Sequence, residues 1–82
     1  MPRFYLHIRN GSGYAEDPEG QDLSDLSAAR SAAIDGVRSL LSEEARHGEL
    51  DLGGSIEIAN EDGNILLIVP FSDAINLRRS PR

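Results

Sequence analysis

The sequence predicts an α+β fold of order β-β-α-β-β, an antiparallel sheet of about four strands with one long helix packed on one face. Three observations carry that expectation. Residues 24–47 repeat apolar side chains at the helical period, residues 4–9 alternate apolar and polar, and residues 65–69 read ILLIV behind a turn.

In the first strand, Phe4, Leu6 and Ile8 fall on one face and Tyr5, His7 and Arg9 on the other, the pattern of a half-buried strand. NGSG follows, and Asn10 and Gly11 suit the positive φ angles of a hairpin connection, so Tyr14 to Asp17 return beside the first strand. Asp17 to Gly20, DPEG, forms a second turn in which Pro18 presets φ and Gly20 permits the reversal. Gln21, Asp22 and Leu23 then lead into the helix.

At about 100° per residue, Leu26, Ala29, Ala33, Val37, Leu40 and Leu41 share one side of the helix, with Ile34 at its edge. Ser24 and Asp25 offer side-chain acceptors to the free amides of the first turn, and Arg46, His47 and Gly48 mark the stop. Gly36 costs about 1 kcal/mol relative to Ala inside a helix, which implies close approach of another backbone or tolerated weakness. Arg30 lies near the apolar stripe, where a guanidinium needs a partner, so a structural ion pair or hydrogen bonds to loop carbonyls are expected.

Behind the helix, Leu50 and Leu52 anchor the return and Gly53-Gly54 form a joint. Ser55 to Asn60 make a third strand with Ile56 and Ile58 inward and Glu57 outward, and EDGN turns the chain. The fourth strand, Ile65 to Val69, is apolar without alternation, so it is expected to be buried on both faces or covered by a partner chain. That content favours placing the first and fourth strands in the middle of the sheet. Pro70 lacks an N–H and should end the ladder or sit at an edge.

With 82 residues the chain is expected to form one domain, residues 1–77, followed by an Arg-rich flexible tail, 78–82. Cysteine is absent, so disulfides and thiolate metal sites are excluded, and the two histidines, His7 and His47, lie in different segments. Gly11-Ser12-Gly13 has no helix directly behind it to complete a phosphate site, so no cofactor is expected. Self-association is the remaining common means of steadying so small a core, hence a homodimer. The net charge is −6, and residues 1–77 hold five Arg against fourteen acids, a balance of −9. Such a body repels phosphate backbones and argues against nucleic acid as the main ligand. No run approaches the roughly 20 apolar residues that cross a membrane, and no signal-peptide pattern stands at the start, so a cytoplasmic protein is expected.

FYLHIRNG, DPEGQDLSDLSAARSAA and IEIANEDGNILLIVPFSDAI together resemble a family of small uncharacterised proteobacterial proteins. Its members read F-H-V-R-D-G near the start, E-G-x-E-L before the helix, A-A-R within it and V-P-F-x-D-A near the end. This chain departs in having Tyr5-Leu6 between Phe4 and His7, Asn10 for the usual Asp, and Asp22 in place of Glu. The resemblance covers Phe4 to about Leu77 and implies a bacterial cytoplasmic setting, with no activity to carry over.

Enzyme function is not expected. His7 has Ser12, Tyr14 and Asp17 near it in sequence, but there is no nucleophile elbow, metal motif or phosphate loop. The sheet face away from the helix should instead present Tyr5, His7, Arg9, Glu57, Leu66 and Ile68, a mixed patch suited to a protein contact. The leading expectation is a homodimeric interaction or regulatory module. A nucleic-acid-associated protein using that face and the Arg tail is one alternative, and a small-ligand site or minor enzyme at His7 and Arg30 is another.

Overall fold

The computed structural model describes residues 1–76, so the expected tail at 78–82 and the domain end at Leu77 lie outside the described residues. The elements follow the order β1 (Arg3–Asn10), β2 (Gly13–Ala15), β3 (Gln21–Asp22), α1 (Leu26–Arg46), β4 (Ser55–Ala59) and β5 (Ile65–Pro70), then a 3-10 turn over Phe71–Ala74. The fold is α+β with an antiparallel sheet and one helix, as expected. The arrangement is β-β-β-α-β-β, because Gln21–Asp22 pairs with Arg3 and Phe4 as a short extra strand.

β1 is the spine of the sheet, whose order is β2-β1-β4-β5 with β3 joined to the other end of β1. The pairing of β1 with β4 sets Leu6 opposite Ile58 and Ile8 opposite Ile56, so the apolar members of both strands share the inner face. α1 lies across that face and buries Ala29, Ala33, Ile34, Val37 and Leu41 against Phe4, Ile56, Ile58, Val69 and Phe71. Its start is fixed by Asp25, whose carboxylate accepts the Ala28 N–H at 2.8 Å. Its end is fixed by Gly48 at φ +80°, in the left-handed region that frees the last carbonyls to be capped.

Three expectations are corrected. In the first hairpin the positive φ falls on Gly13, while the Asn10 side chain accepts the Ser12 N–H at 2.8 Å instead of its backbone turning over. The fourth predicted strand, β5, stands at the edge of the sheet, and β4 takes the middle beside β1. Pro70 explains the placement. Phe71 donates its N–H to Gly54 at 2.9 Å, so the neighbouring position, Pro70, points its missing N–H away from β4, which suits only an edge. β5 also proves to be two-sided after all: Leu67 and Val69 turn inward, whereas Ile65, Leu66 and Ile68 are 52, 43 and 54% exposed.

Candidate functional site

The sheet face opposite α1 gathers most of the chemistry of the chain. Alternation along β1 sends Tyr5, His7 and Arg9 outward because Phe4, Leu6 and Ile8 are taken by the core. Register then sets Glu57 opposite His7, Ile68 opposite Glu57, and Tyr14 opposite Arg9, so residues from four strands share this face.

Glu57 lies at its centre and is only 7% exposed, although no helix covers it. Its neighbours do so. Arg9 donates Nε–H to Glu57 Oε2 at 3.0 Å, and the Tyr14 hydroxyl donates to Oε1 at 3.3 Å. The Arg9 guanidinium carbon stands 4.6 Å from the centre of the Tyr14 ring, a cation–π contact, so the three side chains form a closed triangle. The Tyr14 hydroxyl ionises above the ordinary tyrosine range, first because partial loss of water disfavours the phenolate, then because the Glu57 carboxylate opposes a second negative charge.

His7 continues the row, with its ring centre 6.3 Å from Tyr5 and 5.9 Å from Tyr14. Its Nδ1 accepts the Asp17 N–H at 3.0 Å, which sets the neutral ring's proton on Nε2. Asp17 in turn fills the gap between β2 and β3. Its carboxylate accepts from Leu6 at 3.2 Å, Glu19 at 3.2 Å and Gly20 at 3.1 Å. Partial burial works against the Asp17 charge, but the N–H groups of Gly20, Leu6 and Glu19 outweigh it, and the carboxyl titrates below its usual value.

Toward β5 the face becomes aliphatic. Ile68 stands across from Glu57, and Ile65 across from Ala59. The register slips by one residue between Ile58 and Ala59, leaving Leu66 as the extra residue of a bulge. The candidate site therefore has a polar aromatic half on β1 and β2 and an aliphatic half on β5.

Arg30 is elsewhere. It projects from α1, and its Nη2 lies 3.6 Å from Asp73, both side chains being about half exposed. The structure thus does not bring His7 and Arg30 together, since they lie on opposite sides of the sheet. A polar hollow of about 330 Å³ between the first hairpin turn and the loop after α1 is lined by Asn10, Ser12, Glu44 and Asp51. Its acids hold loops: Asp51 accepts the N–H of Gly11 and Gly53, and Glu44 accepts that of Asp51. Among the described residues no cluster of three or more His, Asp or Glu is placed to hold a metal ion. Among them, too, no helix is long and apolar enough to cross a membrane.

Residues 3–72 match the family described as Domain of unknown function (DUF6894). The chain belongs to this family. Neither the curated proteins nor the solved structures give a match. The DUF6894 span takes in all five strands and α1, hence the whole of the open face, and ends one residue short of Asp73, the partner of Arg30. Tyr14 and Asp17 are the members of the site that the sequence reading leaves out of the face. Tyr14 was legible in principle, because a two-residue turn at Gly11-Ser12 pairs it with Arg9.

Proposed function

We propose that the chain is a homodimeric protein-interaction module of the cytoplasm, with a regulatory role and no catalysis of its own. The observation that carries this reading is the aliphatic half of the open face. Ile65, Leu66 and Ile68 are three adjacent apolar side chains on an edge strand, each about half exposed, in a chain whose single core is small. A second copy covering them removes apolar surface from water at about 25 cal/mol per Å².

Side chains rather than backbone should make the contact. Pro70 and the bulge at Leu66 interrupt the outer ladder of β5 on either side of Ile68, the means by which edge strands avoid indiscriminate pairing. β5 itself carries no charged residue, and the acids that flank it, Glu61 and Asp62 in the turn before and Asp73 behind, stand at its two ends, away from Ile68 in its middle. Ile68→Glu tests the assignment: native mass should fall to that of one chain with the circular dichroism unchanged, and an unaltered dimer removes Ile68 from the interface.

A further inference from the structure

We propose that Arg9 is a preorganised carboxylate-binding residue, through which the polar aromatic half of the open face takes an acidic peptide segment of a partner protein. This inference rests on the interaction-module reading and names the chemistry of the partner.

An exposed arginine usually loses side-chain freedom when it binds, and that loss offsets most of what the contact contributes. Arg9 has already been ordered. Glu57 takes its Nε–H at 3.0 Å, and the guanidinium lies against the Tyr14 ring with its carbon 4.6 Å from the ring centre. Two contacts at different angles fix both the position and the tilt of the plane. The first is made through Nε and the second through the guanidinium carbon over the ring. Among the described residues neither Nη atom of Arg9 has a hydrogen-bond acceptor, and the side chain is still 60% exposed. The two Nη groups are thus offered to solvent as a fork whose spacing matches the two oxygens of a carboxylate.

Glu57 is the other half of the device. Its carboxylate is covered by the very side chains it orients, so it holds Arg9 from below without competing for an incoming anion. Glu57 already matches the Arg9 charge and the body carries a balance of −9 over residues 1–77, so the geometry of the fork, not net positive charge, selects the anion. A polyphosphate would meet the surrounding acids over a wider area, so the fork favours one carboxylate over a nucleic-acid backbone. Tyr5 and His7 continue the surface beside it as stacked rings, and Ile68 lies two strands away across Glu57. At about 4.8 Å per strand, an extended peptide crossing the face reaches from Arg9 to Ile68 within three or four residues. The preferred segment therefore carries an Asp or Glu followed by an aliphatic residue.

The test is an NMR titration of the ¹⁵N-labelled protein, observing the Arg9 side-chain N–H signals. The probes are the capped peptide Ac-Glu-Ala-Ala-Leu-NH₂, its Gln counterpart Ac-Gln-Ala-Ala-Leu-NH₂, and inorganic phosphate. The expected result is a saturable shift of the Arg9 signals with the Glu peptide, at least tenfold weaker with the Gln peptide and with phosphate. Arg9→Lys, which keeps the charge and loses the fork, should weaken the Glu peptide at least fivefold. Glu57→Gln, which removes the charged acceptor of the Arg9 Nε–H, should weaken it and shift the Arg9 Nε–H signal of the free protein, as fits a positioning residue. Equal response to both peptides, stronger response to phosphate, or full binding by Arg9→Lys each overturns the proposal. Arg9 signals that move on dilution of the protein alone also overturn it, because a second copy then occupies the fork. Native mass recorded on the same samples separates this outcome from the dimer reading, which stands or falls on the mass.

Discussion

Arg9 and Glu57 stand diagonally across the two central strands, joined by a 3.0 Å bond from Nε to Oε2, with the arginine open to water and the glutamate 7% exposed. The asymmetry has an energetic consequence. Arg9→Ala uncovers a carboxylate that the sheet has already desolvated, so the loss should exceed that of an ordinary surface pair, typically about 0–1 kcal/mol. It should remain below the roughly 3–5 kcal/mol of a fully buried pair, because water can reach the vacated side. We expect about 1–2 kcal/mol in urea unfolding, and no measurable change would remove the pair from the stability of the face.

Tyr14 reports on the same triangle. One of the causes that raise its ionisation, the Glu57 charge, vanishes in Glu57→Gln, and the hydrogen bond loses its charged acceptor. In a Tyr5→Phe background, the alkaline absorbance titration of Tyr14 should therefore move to lower pH in that variant. A midpoint that stays where it was would mean Glu57 does not act on the hydroxyl.

Asp17 should make stability depend on acid. Its folded-state pKa lies below the unfolded value, so the stabilisation is complete above about pH 4, the unfolded carboxylate range, and is lost as pH falls through the lowered folded value. Asp17→Asn should cost about 1 kcal/mol at pH 7, and the gap from the unsubstituted protein should close as pH falls below about 4. Urea midpoints of the two proteins at pH 7 and pH 3 check this, and a gap that widens in acid would contradict it.

Two glycines should respond in opposite directions to alanine. A Cβ on Gly54 would stand 2.5 Å from the Phe71 ring and 2.8 Å from the Arg9 carbonyl oxygen, so Gly54→Ala should destabilise by roughly 2–4 kcal/mol or prevent folding. A Cβ on Gly36 meets nothing within 4 Å, and the residue is exposed within α1, so Gly36→Ala should stabilise by about 1 kcal/mol. Thermal unfolding of both variants decides whether the Gly54 contact is as tight as it stands.

These cases show which parts of the fold were legible. α1 was readable nearly to its ends, because a stripe at helical period, the Asp25 cap and Gly48 agree on one answer. β1 and β4 were readable because Phe4, Leu6, Ile8, Ile56 and Ile58 alternate with residues that stay outside. β3 was not, since Gln21 and Asp22 are paired through the reach of Arg3 and Phe4 and carry no apolar pattern of their own. β5 misled the strand order. An unbroken apolar run looks like a central strand, but in this chain the outward members Ile65 and Ile68 are left uncovered, and the centre goes to a strand whose outward Glu57 is satisfied by Arg9 and Tyr14. Gly53-Gly54 reads as a flexible joint, yet the second glycine is required by the Phe71 ring against it. Within the candidate site, the outward set of β1 followed from alternation, whereas the part taken by Tyr14 and Asp17 depends on hairpin register and on a loop threading back to Leu6 and His7.

The most direct measurement of the central claim is native mass spectrometry of the unsubstituted protein across a dilution series, repeated with Ile68→Glu. The expected result is a dimer that dissociates only on strong dilution, and a monomer of unchanged secondary structure for the variant at every concentration. An unsubstituted protein that is monomeric throughout, with Ile65, Leu66 and Ile68 left in water, would contradict it.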